Sequence, residues 1–256
     1  MGEMNLNVGT VKGLKVDTNI KHIKVPEQLR KRHKCGIDWV DDAFGGEGFV
    51  PSSVHMLTGM PATGKSTFIR QLADSLTGQG HVALYNSGEE NLYQVAVTYE
   101  RLRLRNGFIC ADHDMTSELL AQADQLMAMH KGKQVFLLQD SLQTLNDGKY
   151  KDGGITSNTP VRCCEMLTSW AKATFGIVIF IGQCNKNGDY AGKNTIKHAV
   201  DGHAELYFDN DRKSETFGER MFGVTKNRWG VSGKTYIVEL GERGLSEKGS
   251  FKASGT

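Results

Sequence analysis

From about residue 35 onward, short apolar runs alternate with amphipathic stretches along the chain. Runs of five or six apolar residues have the length of buried strands, whereas apolar positions spaced by three and four residues indicate a helix face. Seven strands are predicted on this basis, at 54–58, 81–86, 135–140, 177–182, 204–208, 221–226 and 235–240. The last two flank a glycine-containing turn and predict a C-terminal β-hairpin. Strands that alternate with helices predict an α/β fold with a mostly parallel central sheet flanked by helices.

The helical pattern is clearest in three stretches, 66–76, 119–130 and 159–175. The last opens with Thr159 as the expected N-cap and Pro160 at the first helical position. Their apolar stripes are interpreted as core. The pattern divides the chain into an N-terminal arm (1–34), a core (35–245) and a flexible polar tail (246–256).

A complete G-x-x-x-x-G-K-S sequence lies between the first predicted strand and a predicted helix. In that context the glycines let backbone N–H groups turn toward phosphate oxygens, and the helix N-terminus favours the negative charge. Lys65 is expected to reach the β- and γ-phosphates, and Ser66 to hold Mg²⁺. The predicted nucleotide-binding residues are Gly59, Met60, Pro61, Ala62, Thr63, Gly64, Lys65, Ser66 and Thr67.

Composition is that of an ordinary globular protein: 39% hydrophobic and 23% charged over 256 residues. No apolar run is long enough to span a bilayer, and the first residues contain no signal-peptide core. The five cysteines include no C-x-x-C pair, which argues against a zinc site or disulfides and favours a reducing cytoplasm. The net charge is only +2, but residues 1–34 carry eight Lys or Arg against three acids. This basic arm is either a nucleic-acid contact or a solvated segment.

Carboxylates stand at the ends of two predicted strands. Asp140 ends the apolar run 135–140, where a metal-organising Asp of a nucleotide site is expected; the alternative is a turn cap. Glu89 and Glu90 follow the run 81–86, and Glu89 is predicted to polarise the attacking water, although both acids could simply begin the next helix.

Polar and cationic side chains end two further strands. Gln183 follows 177–182 and could sense the γ-phosphate or satisfy loop backbone. Lys226 and Arg228 point the same way from an extended chain, so both could act on a neighbouring subunit's nucleotide; spacing alone favours a solvated hairpin tip. A guanine-specific site is disfavoured because Gly188 stands where N-K-x-D requires Asp, so ATP is the expected nucleotide.

Two Gly/Lys/Asn-rich segments, 146–158 and 185–197, follow predicted strands, where loops of parallel sheets line the ligand crevice. Their lysines could contact phosphates and their tyrosines could stack on bases of single-stranded DNA without reading sequence; ordinary surface loops remain the alternative. The predicted DNA-binding residues are Lys149, Tyr150, Lys151, Lys186, Tyr190, Lys193 and Lys197.

Residues 35–245 resemble the ATPase core of the bacterial RadA/Sms DNA repair proteins, RecA-fold ATPases related to DnaB-type hexameric helicases. The similarity is carried by the phosphate loop, by Y-N-S-G-E-E at 85–90, by Q-D-S-L-Q-T-L at 139–145, and by K-N-R-W-G at 226–230, which is similar to the family's K-N-R-F-G. The family's four-cysteine zinc module and Lon-like domain have no counterpart in this sequence, and Gln183 stands where the family usually has His. Core-only relatives of this kind resemble phage-encoded recombination ATPases.

The resemblance implies a RecA-like P-loop ATPase core, and it implies that Lys226 and Arg228 complete the ATP site of a neighbouring subunit. It also favours Glu89 over Glu90. The expected protein is an ATP- and Mg²⁺-dependent homo-oligomer, a ring (a hexamer) or a filament, acting on single-stranded or branched DNA in recombination or repair. The alternatives are an ATP-switched strand-annealing or strand-exchange factor, a KaiC-like regulatory ATPase that does not bind DNA, and a small-molecule P-loop kinase.

Overall fold

A computed structural model describes residues 19–150, 153–184, 194–232 and 234–252. Within these ranges nine strands form one sheet in the order β3-β2-β4-β5-β1-β6-β7-β8-β9. The strands are β1 (Val54–Gly59), β2 (Val82–Ser87), β3 (Ile109–Ala111), β4 (Val135–Asp140), β5 (Ile177–Gln183), β6 (Gly202–Phe208), β7 (Arg220–Asn227), β8 (Lys234–Gly241) and β9 (Gly244–Lys252).

The helices fill the connections between these strands. They are α1 (Glu27–Arg30), α2 (Asp38–Ala43), α3 (Lys65–Gly78), α4 (Leu92–Arg101), α5 (Thr116–Met129), α6 (Thr159–Thr174) and α7 (Asn194–Ala199), with 3-10 turns at Ile20–His22 and Leu142–Thr144. Asn158, not Thr159, precedes α6, and Pro160 lies in its first turn as expected. No described helix has the length and apolar character needed to cross a bilayer.

Strands β3, β2, β4, β5, β1 and β6 run parallel, and β7, β8 and β9 extend the sheet antiparallel to their neighbours. The predicted α/β class, mostly parallel sheet and C-terminal hairpin are confirmed. Two strands escaped prediction. β3 has only three residues, and β9 is polar and largely exposed, so neither carries the apolar run that marks a buried strand.

Each buried strand contributes alternate residues to two hydrophobic clusters, one on each face of the sheet. On one face Leu57 and Phe136 pack with residues of α2 and α3. On the other face Met56 and Leu137 pack with residues of α5, α6 and α7. Because both faces are covered, the parallel strands read as continuous apolar runs, which is why the sequence revealed them.

The register places two different sets of groups at opposite ends of β1. At its carboxyl end Gly59 pairs with Gln183 of β5 and with Leu206 of β6. Toward its start His55 pairs with Gly202, and Gly202 in turn pairs with Asn227 of β7. We call the side at the carboxyl end of β1 the nucleotide edge. We call the side at the start of β1, where β7 ends near Lys226 and Arg228, the finger edge.

The segment expected to be a flexible tail is in part a strand. Residues 246–252 lie in β9 and pair with β8, and the backbone N–H of Leu245 donates to Gln71 of α3. The polar composition of β9 reflects its position at the edge of the sheet, where side chains face solvent. The described part of the N-terminal arm also contacts the core, since His33 pairs with Phe49 and the Arg32 guanidinium donates to the Trp229 carbonyl over 2.8 Å.

An aromatic cluster joins the antiparallel extension to the parallel core. The ring of Trp39 in α2 lies 5.7 Å from Phe68 of α3, 5.1 Å from Phe222 of β7 and 5.9 Å from Tyr236 of β8. Trp39 is 7% exposed, whereas Trp229 is 42% exposed at the turn after β7.

Trp39→Ala is therefore expected to lower the free energy of unfolding by about 3–5 kcal/mol, because it leaves a cavity among three rings. Trp229→Ala is the matched control and is expected to change it by less than about 0.5 kcal/mol, as exposed substitutions do. Urea unfolding followed by circular dichroism measures both. Equal losses for the two variants would show that the cluster does not join the layers.

Candidate nucleotide site

The phosphate loop connects β1 to α3 at the nucleotide edge. Gly59 must lack a side chain, because a Cβ there would lie 2.2 Å from the carbonyl oxygen of Leu206. Gly64 adopts φ 99° immediately before α3, a left-handed conformation that favours glycine. Thr63 is fully buried, and its hydroxyl donates to the Met60 carbonyl over 2.9 Å. The loop is thus held by its own groups, with its exposed residues Pro61 and Ala62 at the surface.

Lys65 begins α3 and folds its side chain back over the loop. Its ammonium group donates to the carbonyl oxygens of Gly59 and Met60, over 2.9 and 2.8 Å. Burial lowers the pKa of Lys65, and the nearby Cys184, Asp140 and Glu89 oppose that shift. The cation therefore stands inside the loop, close to the carboxylates. Ser66 and Thr67 follow in the first turn of α3, both half-buried.

Asp140 lies at the end of β4, as predicted, and is 6% exposed. Its carboxylate accepts from the Tyr85 hydroxyl over 3.2 Å and is hydrogen-bonded to Ser66. Burial raises the pKa of Asp140, and the bonds from Ser66 and Tyr85 counteract part of that rise. A buried carboxylate oxygen beside a hydroxyl oxygen is the kind of ligand set that Mg²⁺ prefers.

The two neighbouring glutamates have different environments. Glu90 pairs with Arg70 of α3 over 2.9 Å, and Arg70 is 3% exposed with its Nε donating to the Tyr85 hydroxyl over 3.0 Å. Glu89 instead accepts a hydrogen bond from the side-chain amide of Gln183 over 2.8 Å. Glu90 therefore neutralises a buried cation, while Glu89 faces the cavity.

A cavity of about 380 Å³ brings the predicted residues together. It is lined by Pro61, Ala62, Lys65, Ser66, Glu89, Asp140, Ser141, Ile181, Gln183 and Cys184. Gln183 lies between two groups of this cavity, because its amide also donates to the Ser141 hydroxyl over 3.2 Å. Residues of the G-x-x-x-x-G-K-S loop, the Ser66 and Asp140 pair, and the Glu89 carboxylate next to the Gln183 amide therefore share one cavity.

Sequence reasoning missed two members of this site, Arg70 and Tyr85. Arg70 bonds to both Glu90 and Tyr85, and the Tyr85 hydroxyl continues the network to Asp140. A signal was present, because Arg70 is a charged residue in the middle of the apolar stripe of α3. Long charged side chains are almost never fully buried unless they are paired.

Lys226 and Arg228, here called the finger pair, lie at the finger edge. The Lys226 ammonium donates to the carbonyl oxygens of Lys197 and His198, over 3.1 and 3.0 Å. Arg228 pairs with the buried Asp201 over 2.7 Å, and its side chain is 50% exposed. The described structure thus keeps the pair apart from the cavity of its own chain.

Three of the predicted DNA-binding residues are described, and they lie at two separate places in the structure. Lys149 and Arg162 both lie over the ring of Tyr150, at 5.7 and 5.9 Å. Lys197 lies in α7 and contacts Lys226 through its carbonyl oxygen and Glu205 through its ammonium group. Lys151, Lys186, Tyr190 and Lys193 lie outside the described residues. Within the described ranges no group of three or more His, Cys, Asp or Glu could hold a metal ion.

A sheet of this order whose first strand runs into a G-x-x-x-x-G-K-S loop defines a P-loop ATPase core of the RecA-like fold. A solved ATPase domain superimposes with a TM-score of 0.73 at 15% identity, covering 86% of this chain and 93% of that domain. A DnaB-like replicative helicase superimposes with a TM-score of 0.70 at 16% identity, covering 82% of this chain and 60% of that chain. At these identities the likeness concerns the fold. No protein-family model matches the chain.

Sequence similarity points to one group of proteins. The chain is 33% identical over 229 residues to the DNA repair protein RadA of Bacillus subtilis (strain 168), covering 89% of this chain and 47% of RadA. It is 29% identical over 221 residues to RadA of Aquifex aeolicus (strain VF5), covering 86% of this chain and 47% of that protein. The resemblance to RadA is confirmed, and the chain spans less than half the length of these relatives.

The contacts of the two glutamates predict opposite phenotypes. Glu89→Gln is expected to lower the ATP hydrolysis rate by at least ~10²-fold, because it removes the carboxylate that faces the cavity, while ATP binding is retained. Glu90→Gln is expected to lower the melting temperature, because it weakens the partner of the buried Arg70, with a smaller loss of hydrolysis. Phosphate release and thermal unfolding measure both. A larger loss of hydrolysis in Glu90→Gln would reverse the assignment.

Proposed function

We propose that this chain hydrolyses Mg²⁺–ATP as a homo-oligomer on single-stranded or branched DNA and works as a helicase-like motor in recombination or repair. A ring, such as a hexamer, or a filament provides the required contact between subunits. The observation that carries the proposal is the separation of the finger pair from its own phosphate loop. The similarity to the DNA repair protein RadA supports the DNA-processing role.

The separation follows from the register of β6. Gly202 pairs with Asn227 at one end of this strand, and Leu206 pairs with Gly59 at the other. Four residues of parallel strand span roughly 13 Å, and Asp201 holds Arg228 at the far end. Cations placed there meet a nucleotide only when another subunit's nucleotide edge faces them. A heterologous contact of this kind repeats around a ring or along a filament.

Within each subunit, the residues of the cavity take distinct roles. Lys65, which now bonds to loop carbonyls, would bind the phosphates. Asp140 and Ser66 would hold Mg²⁺ through their oxygens, and the ion would supply positive charge beside the phosphates. Glu89 orients and polarises the attacking water. Gln183, which bonds to both Glu89 and Ser141, links the γ-phosphate position to the segment that follows β5. Lys226 and Arg228 of the neighbour complete the site.

Mixing two inactive variants tests whether the site is shared. Lys65→Ala lacks a phosphate-binding lysine but keeps the finger pair, whereas Arg228→Ala lacks a finger but keeps the cavity. Each variant alone is expected to hydrolyse ATP ~10³-fold or more slowly than the wild type. Arg228→Ala removes an arginine finger, and Lys65→Ala removes the lysine that binds the phosphates. An equimolar mixture is expected to recover up to about a quarter of the wild-type rate, because that share of heterologous interfaces combines both intact halves.

The measurement is phosphate release in the presence of single-stranded DNA. The mixture and each variant alone are compared at the same total protein concentration. No recovery in the mixture would contradict a shared site. Wild-type hydrolysis by Arg228→Ala alone would remove the finger assignment.

Two of the described DNA candidates, Lys149 and Tyr150, belong to the segment that follows the carboxyl end of β4, where Asp140 lies. Tyr150 is 39% exposed, so its ring is accessible while two cations stand over it. A cation beside an exposed aromatic ring suits a single strand, whose phosphates and bases alternate. We assign the same role to the lysines and tyrosine of the segment after β5, and to Lys197.

Tyr150→Ala and Lys149→Ala are expected to weaken binding of a fluorescent single-stranded oligonucleotide. The tyrosine change should cost about 1–3 kcal/mol of stacking, and the lysine change should reduce the slope of log K against log salt by about 0.7. Lys248→Ala is the control, because Lys248 lies on β9 and pairs with Glu219; this variant should bind the oligonucleotide as the wild type does. Flat anisotropy for the wild type at low salt would remove the DNA-binding role and favour a regulatory ATPase.

A further inference from the structure

A hydrogen-bonded chain crosses the sheet between the base of the phosphate loop and the strand that carries the finger pair. The ring of His203 in β6 lies 2.7 Å through Nε2 from the Thr58 hydroxyl and 2.7 Å through Nδ1 from the Thr225 hydroxyl. Thr58 immediately precedes Gly59, the first residue of the phosphate loop. Thr225 immediately precedes Lys226, the first residue of the finger pair.

A bulge in the sheet gives Thr225 this orientation. His203 pairs with Lys226 and Ala204 pairs with Val224, so Thr225 is an extra residue between two consecutive pairs. Bulges redirect side chains, and this one turns the Thr225 hydroxyl toward the imidazole. The position of Lys226 opposite β6 therefore depends on the same irregularity that presents Thr225 to His203.

His203 is suited to join two hydroxyls because it is neutral. It is 5% exposed, and burial, assisted by Lys197 and Lys226, lowers its pKa to about 4. Glu205 of the same strand lies 3.5 Å from Nε2 and does not reverse that shift. A neutral imidazole has one donor and one acceptor nitrogen, and threonine hydroxyls satisfy either. Both ring nitrogens are thereby bonded, which fixes the ring between β1 and β7.

We propose that His203 is a positioning residue that ties the finger strand to the base of the phosphate loop and so holds Lys226 and Arg228 where the neighbouring subunit's ATP requires them. The proposal rests on the shared site proposed above. It adds a path by which the state of a subunit's own phosphate loop influences the catalytic cations that the same subunit donates. Loss of the hydrogen bonds from His203 to Thr58 and Thr225 leaves ATP binding intact and misplaces the finger pair.

Asp201 supports the same connection near the start of β1. One of its carboxylate oxygens accepts from the Val54 backbone N–H over 3.0 Å, while the other pairs with Arg228. Asp201 thus connects Arg228 to Val54, the first residue of β1. His203 connects β7 to Thr58, the fifth residue of β1. The buried side chains of Asp201 and His203 therefore connect β1 to the finger pair.

His203→Phe tests the proposal, because it keeps an aromatic ring and removes both bonds. The matched control is His55→Phe, at a histidine of β1 that is 4% exposed and bonds only to Ser53 among the described residues, with its Nδ1 unpaired. Both changes are expected to lower the melting temperature. Only His203→Phe is expected to lower kcat, by ~10-fold or more, with the Kd of a fluorescent ATP analogue changed by less than about twofold.

Mixing shows through which residues His203 acts. His203→Phe combined with Lys65→Ala should recover hydrolysis as Arg228→Ala does, because the Lys65→Ala subunit supplies a well-placed finger pair to an intact cavity. His203→Phe combined with Arg228→Ala should not recover, because neither subunit supplies one. Thr225→Val, which removes a single hydroxyl from an exposed position, should reduce kcat in the same direction by a smaller factor.

The outcomes separate this inference from the shared site itself. If Arg228→Ala and Lys65→Ala fail to complement each other, the shared site is wrong. If they complement each other but His203→Phe and His55→Phe have the same kcat, His203 is a structural residue only and the inference is overturned. Loss of ATP binding in His203→Phe, or its failure to recover with Lys65→Ala, would place its effect in its own cavity and also overturn it.

Discussion

The parallel pairing of β1 with β5 on one side and β6 on the other is the constraint on which the rest of the structure depends. This register places Gly59 beside Gln183, so the phosphate loop opens against the polar end of β5. β6 runs parallel to β1 toward the same nucleotide edge, and β7 then returns antiparallel to the finger edge, where it ends at the finger pair. The phosphate loop follows β1 directly, and the finger pair at the end of β7 is held to the start of β1 through Asp201, so the two halves of the proposed ATP site lie at opposite ends of one strand.

Buried charge is compensated in the same way on both edges. At the nucleotide edge, Arg70, Glu90, Tyr85 and Asp140 form one network, in which each ionic or hydroxyl group has a described partner. At the finger edge, Asp201 neutralises Arg228 and His203 stays neutral between two hydroxyls. Such networks are costly to interrupt, since removing one member leaves another buried without a partner. They therefore hold the site residues in fixed positions before substrate arrives.

Much of this could be predicted from the sequence because the parallel strands are buried on both faces and end in the residues that carry chemistry. The positions of Asp140 and Gln183 at the ends of β4 and β5 could be predicted from the apolar runs that precede them. β9 could not be predicted, because an edge strand needs no apolar face. The burial of Arg70 left a signal in the apolar stripe of α3, but its partners could not be predicted, because they come from β2 and the loop after it. The sequence favours Glu89 and the resemblance supports that choice, but the partners that distinguish it from Glu90 could not be predicted, since adjacent residues differ only in which neighbour they meet. The link through His203 depends on a bulge, which no periodicity reveals.

In the proposed mechanism the ATP site is complete only between subunits. Light scattering of the purified chain with Mg²⁺, a non-hydrolysable ATP analogue and a single-stranded oligonucleotide tests it most directly. A mass that is an integral multiple of the chain mass, and that falls when Arg228 is replaced by Ala, is the predicted result. A monomer at high protein concentration with all three ligands present would contradict the account.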